Sequence, residues 1–257
     1  MSSTTVTFID TISALQQMLC TIKDLPTSPP SLYLDLEGVK LSRYGSVSIL
    51  TFHISTAKKT YLIDIHTLGA AAFSTVSKTA DNDNTAISIK SILESATIPK
   101  VFFDVRNDSD ALFTHYNIDL KGVHDVQLIE LAARRGNKTF VCGLAKCIQS
   151  DAPLSQARKV VCGNVKKTGR ALFAPEQGGR YEVFNERPMQ KLLVDYCALD
   201  VEVLPLLWGV YNGKLDAAWS RKLVAATEDR VIESQSPGYN PDDREKSRGP
   251  WGFKGRN

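Results

Sequence analysis

Two strand-like runs, residues 46–54 and 60–65, are separated only by a turn around Ala57-Lys58-Lys59. So short a connection cannot carry the chain round to a parallel neighbour, and the pair must form an antiparallel hairpin. Upstream, Leu32–Glu37 reads as a strand, entered in extended conformation after Pro26 and Pro29-Pro30 end a first helix over 11–23. Downstream the pattern changes to strand-helix alternation: strand 101–104, helix 107–115, strand 122–124, and a helix 126–135 stopped by Gly136. An α/β fold follows, a mixed five-stranded sheet flanked by helices, with buried strands accounting for the apolar run Val101-Phe102-Phe103.

Further helices are expected at 141–150, at 188–211 with Pro188 in its first turn and a kink or break at Pro205, and at 215–233. Residues 155–187 hold turn residues and clustered base, and are too long for a passive connector. We expect one domain over 1–213, a helix over 214–235 packed on it, and an extended or disordered tail over 236–257 with Trp251 available to pin it down.

The chain has 31 lysines and arginines against 28 acidic residues, for a net charge of +3. That balance excludes both a uniformly basic nucleic-acid coat and an acidic disordered solvator. It conceals one basic stretch: Lys/Arg stand at 158, 159, 166, 167, 170 and 180, with Glu176 the lone acid between 156 and 180. Such a segment suits phosphate, the bland alternative being a solvated loop. Its run Gly163-Asn164-Val165-Lys166-Lys167-Thr168-Gly169 does not satisfy G-x-x-x-x-G-K-[ST], which excludes P-loop chemistry. The scattered cysteines are odd in number, and the Cys142, Cys147 pair lacks the further ligands of a zinc site. Reduced thiols, no secretory signal and no apolar run near the roughly 20 residues of a membrane span point to a cytoplasmic or nuclear protein.

In Leu32-Tyr33-Leu34-Asp35-Leu36-Glu37-Gly38 the strand period puts Asp35 and Glu37 on one face and the leucines on the other. Two like charges at a strand end call for a cation, and a hard divalent metal takes such oxygens together with substrate phosphate. A strand end entering solvent would show the same pattern. Tyr196 and Asp200 are one helical turn apart and point to one side. Between these elements, the apolar strand ending at Phe103 feeds a helix whose start carries Asn107, Asp108 and Asp110, residue types that also serve as ordinary caps.

Taken in order, D-x-E on a strand, Asp at a strand-to-helix junction and Y-x-x-x-D on a late helix, the chain resembles the tyrosine branch of the DEDD superfamily of 3′ to 5′ exonucleases. That branch includes ribonuclease D, the Werner-type exonuclease and the exonuclease 3′-5′ domain-containing proteins. Asp35 and Glu37 match the first motif, Tyr196 and Asp200 the third, and Asp108 with Leu112 the second, with Asp104 and Asp110 as alternatives. Tyr61-Leu62-Ile63-Asp64-Ile65, Val123-His124-Asp125-Val126-Gln127-Leu128 and Gly143-Leu144-Ala145 add to the match, which spans about 32–207. The histidine branch would place His five residues before Asp200, where Asp195 stands.

The resemblance implies a ribonuclease H-like fold and two Mg²⁺ or Mn²⁺ ions held by the four carboxylates, Asp35 bridging both, Glu37 and Asp200 serving mainly one and Asp108 the other. Tyr196 would help position the attacking water. It also implies a single-stranded RNA or DNA 3′ end as partner, RNA favoured, with release of nucleoside 5′-monophosphates and a role in RNA processing. For substrate contacts we single out Gly38, Val39, Arg43 and Asn107 beside the carboxylates, with Arg43 and Tyr44 placed to stack on a terminal base, and Lys166, Lys167, Arg170 and Arg180 in the basic segment. The competing reading is a non-catalytic nucleic-acid-binding or adaptor protein on the same fold, against which the full carboxylate set counts. A homo-oligomer is compatible with the sequence, which names no protein partner.

Overall fold

The hairpin pairs β3 (Ile49–Ile54) with β4 (Lys59–Asp64), Ile54 opposite Lys59 at the turn and Ile49 opposite Asp64 at the far end. The computed structural model describes residues 5–77 and 86–252, so the end of the expected tail, 253–257, lies outside the described residues. β2 (Leu32–Glu37) lies antiparallel to β3, and β5 (Lys100–Phe102) and β6 (Val123–Asp125) extend the sheet in parallel beyond it. Among the described residues the sheet has six strands rather than five, because β1 (Thr5–Ile9) adds to the outer edge of β4. Its Thr-Val-Thr start faces solvent, although its β-branched and aromatic residues alternate as a strand's do.

Alternation along β2 divides the core. Leu32, Leu34 and Leu36 join Leu50, Phe52 and Ile63 on one face, under α1 (Ile12–Ile22), two short helices α2 (Ile65–Leu68) and α3 (Ala71–Ser74), α4 (Ile89–Glu94) and α5 (Arg106–Tyr116). Each fully buried leucine there contributes about 1.5–3 kcal/mol. On the opposite face Tyr33 and Val101 pack beneath α6 (Val126–Ala133) and α7 (Leu144–Asp151). That face also carries α8 (Gln156–Phe173) and α9 (Lys191–Glu202), whose Leu193, Tyr196 and Cys197 close over Ile49 and Leu62.

The stretch 155–187, read as turns and clustered base, is mainly the helix α8, started by Ser155, whose hydroxyl accepts the amide of Arg158. Pro188 sits in a cis peptide ahead of α9, which begins only at Lys191, so it does not occupy a first helical turn. Pro205 does divide the long helix, falling at the start of α10 (Leu204–Asn212). α11 (Ala217–Gln235) lies against α5 and α6. Residues 236–252 then run back over the body: Tyr239 is buried, the Ser247 carbonyl accepts the Val141 amide, and Trp251 meets Trp219 edge to face at 5.2 Å. No helix among the described residues is long and apolar enough to cross a membrane.

Candidate active site

The site forms where β2 ends beneath α9. Asp35 and Glu37 emerge on the α9 side of β2, and Asp200 comes down from the helix; oxygens of the three carboxylates lie within 4.8 Å of one another. Thr51, the cross-strand neighbour of Asp35, holds a buried hydroxyl without a hydrogen-bond partner on the same face. This set of hard oxygens fits a divalent cation of the Mg²⁺ or Mn²⁺ class.

The sequence left three aspartates for the second motif, and the end of β5 separates them. β5 pairs with β2 only as far as Tyr33, so further along that edge the Leu36 amide has no ladder partner. Asp108, in the first turn of α5, supplies one: its Oδ1 accepts Leu36 N–H at 3.0 Å. Asp104 instead turns back at φ 62° and grips the Arg106 guanidinium through both oxygens at 2.6 and 2.7 Å. Asp110 accepts the backbone and side-chain N–H groups of Arg43, each at 2.7 Å. Only Asp108 of the three is directed to β2.

Two further aspartates from the matched runs prove to be framework hubs. Asp125, fully buried, accepts the amides of Asp104, Val105, Gln127 and Leu128 and the Arg230 guanidinium, tying the turn into α5 to α6 and α11. Asp64, also fully buried, pairs with Arg187 just before α9 and caps α2 through Thr67. Arg187 and Thr67 hold its carboxyl below the usual range in spite of burial.

Burial is the largest influence on the site carboxylates. It pushes Asp35 up to about 7, with the Asp200 charge adding to the rise and Lys166 and the Leu36 amide opposing it. Glu37 and Asp108 are raised well above ordinary carboxylates by burial and by Asp35. Asp200 is raised by burial and held back by Lys166 and the Tyr196 hydroxyl. The Tyr196 phenol is itself pushed far up by burial and these anions, so it stays protonated.

α8 places Lys166, expected as a substrate contact, on Asp200 instead. Lys166 Nζ lies 2.6 and 2.7 Å from the two oxygens of Asp200 and 4.0 Å from the centre of the Tyr196 ring. One turn on, Gly169 lets the helices close: a Cβ there would stand 2.5–2.8 Å from Tyr196 carbons. Glycine inside a helix costs about 1 kcal/mol relative to alanine, and here that cost admits the aromatic ring. Phe173 completes the setting, edge to face with Tyr196 at 5.2 Å.

The other expected substrate contacts divide. Gly38 is dictated by backbone, since a Cβ would meet the Ser46 carbonyl at 1.9 Å, and the Val39 carbonyl accepts the Ser46 amide. Lys167 and Arg170 line, with Lys166 and Tyr196, a groove of about 460 Å³ beside the carboxylates. Arg170 also pairs with Glu176, and Arg180 is an exposed partner of Glu186. Arg43 is taken out of play as a stacking group: besides Asp110 it donates to the carbonyls of Ser234, Ser236 and Pro237. Asn107 accepts from Tyr239 and Lys246 of the last segment, and Tyr44 is 76% exposed.

Residues 6–212 match the family model of the 3′-5′ exonuclease. The chain belongs to this family. No curated protein sequence matches this chain. Its fold is similar to that of Trypanosoma brucei RNase D in complex with GMP, at 20% identity and a TM-score of 0.73 over 95% of this chain and 69% of that one. The same enzyme in complex with RNA U12 aligns at 18% identity and 0.74 over 96% and 77%. Brucella melitensis NrnC with bound Mg²⁺ aligns at 13% identity and 0.54 over 90% and 91%. The exonuclease family domain thus spans the sheet and every residue of the carboxylate site.

Proposed function

We propose that the chain is an active, metal-dependent 3′ to 5′ exonuclease of the tyrosine branch. It would hydrolyse the terminal phosphodiester of single-stranded ends, RNA favoured over DNA, and release nucleoside 5′-monophosphates. The observation that carries this reading is the convergence of Asp35, Glu37 and Asp200 within 4.8 Å, with Asp108 bonded to the same strand. RNase D bound to RNA U12 and to GMP, and NrnC with Mg²⁺, are the similar folds that favour RNA, a monophosphate product and a divalent ion.

Asp35, Glu37 and Asp200 would hold one ion, and Asp35 with Asp108 a second. When bound, such ions lower the pKa of a water and offset charge on the departing 3′ oxygen. Burial holds the Tyr196 phenol above its usual range, which suits it to orienting a water by hydrogen bonding rather than to deprotonating it. Lys167 and Arg170 in the groove would attract the strand's phosphates.

The test uses 5′-labelled RNA and DNA oligonucleotides with Mg²⁺ or Mn²⁺, with and without EDTA, beside Asp35→Ala and Asp200→Ala. Stepwise shortening that requires metal and both aspartates is expected. Shortening that survives both substitutions overturns the site, and tight binding with no turnover favours an adaptor.

A further inference from the structure

Lys166 occupies a position that an ordinary phosphate-binding lysine would not. Its ammonium bridges both oxygens of Asp200, rests on the Tyr196 ring and is only 17% exposed. Among the described residues it is also the one cation that offsets the mutual repulsion of Asp35, Glu37 and Asp200. Any divalent ion that takes Asp200 as a ligand must use an oxygen that Lys166 already contacts, and two cations on one carboxylate repel at such distances.

We propose that Lys166 is an exchangeable internal counter-ion: it neutralises the carboxylate cluster through Asp200, and divalent metal binds by displacing its ammonium into the adjoining groove. The inference rests on the reading of Asp200 as a metal ligand. The groove offers the space, since it runs from Tyr196 between α8 and α7 past Gly163, Lys167, Leu144 and Ile148. Once there, beside Lys167 and Arg170, the ammonium of Lys166 faces the same path as a substrate phosphate. Metal loading and substrate attraction are then coupled through one side chain.

The proposal sets Lys166 against metal, so removing it must tighten metal binding. Mn²⁺ titration of the full chain, followed by electron paramagnetic resonance, compares wild type with Lys166→Met and Lys166→Gln. Both variants are expected to bind Mn²⁺ about tenfold more tightly, the usual size of a coupling between two competing cations, and in EDTA to melt at lower temperature with a larger rise on adding Mn²⁺. An unchanged or weaker Mn²⁺ affinity overturns the proposal. Should the variants fail to fold, wild-type protein gives a second reading by amine labelling and mass spectrometry. Lys166 should be protected relative to Lys167 in EDTA and become labelled in Mn²⁺; equal labelling in both overturns it. Asp200→Asn binding Mn²⁺ as tightly as wild type would instead sink the metal-ligand reading, which keeps the two failures distinct.

Discussion

The carboxylate of Asp108 accepts the backbone amide of Leu36, joining the start of α5 to the strand that carries Asp35 and Glu37. Asp104 is held by Arg106 in the same turn, and Asp110 by Arg43 from the loop after β2. Asp108→Asn should therefore lower metal-dependent turnover by two orders of magnitude or more, on the order expected for loss of a metal-held charge. Asp104→Asn and Asp110→Asn should act through stability, because removing one partner of a buried pair costs roughly 3–5 kcal/mol, a melting-temperature loss on the order of 10 °C. Turnover per folded molecule, measured beside thermal melts, separates the two behaviours. An inactive but fully stable Asp110→Asn would reverse the assignment.

That choice illustrates how far the sequence could be read. The bounds of β2 and the chemistry of Asp35 and Glu37 follow from alternation inside a single strand. Which aspartate completes the set depends on where β5 stops pairing with β2, a matter of register between strands that no local pattern encodes. α8 escaped notice for a different reason: only Cys162 and Gly169 are buried along its 18 residues, so it shows no broad apolar stripe. Arg43 and Asn107 looked like substrate contacts because their partners lie roughly 130–195 residues away, in the segment after α11.

Gly169 against Tyr196 yields a steric prediction. Gly169→Ala improves helix propensity yet places a Cβ inside the contact distance of the ring. We expect kcat to fall about tenfold or more as the hydroxyl moves off line, with Mn²⁺ affinity changed less than about twofold because no carboxylate has moved. Steady-state kinetics alongside Mn²⁺ titration tests this, and unchanged kcat would show that Tyr196 has slack.

The raised carboxylates fix a pH trend. Asp35 binds its proton up to about pH 7 in the folded chain against an ordinary value of 3.8. Between these values the folded state holds more protons than the unfolded one, so in EDTA this group's contribution to stability falls as pH rises. Melts in EDTA should show a decline from pH 5 to 8 that is smaller in Asp35→Asn. With Mn²⁺ the sign reverses, since ligands bind metal only after losing their protons. A decline of the same size in Asp35→Asn would refute the assignment.

Lys100 provides a test away from the site. Its side chain is wholly buried on β5, its ammonium bonded to the Ser95 carbonyl, and burial lowers its pKa to about 7. The folded state therefore holds fewer protons than the unfolded one between about pH 7 and 10.5, and this group's contribution to stability improves as pH rises through that window. Lys100→Met should raise the melting temperature, most at pH 7 and below, with the gain shrinking towards pH 10. A loss of stability at pH 7 would mean that the Ser95 contact outweighs the cost of burying the charge.

The segment after α11 gives the site a timetable. Arg43 is anchored on the carbonyls of Ser234 at the end of α11 and of Ser236 and Pro237 beyond it, Asn107 on Tyr239 and Lys246, and Arg106 on the carbonyl of Lys246. During synthesis every carboxylate of the cluster has left the ribosome tunnel before that clasp is made. A nascent chain long enough to show Asp200 still lacks the residues that brace the turn bearing Asp108.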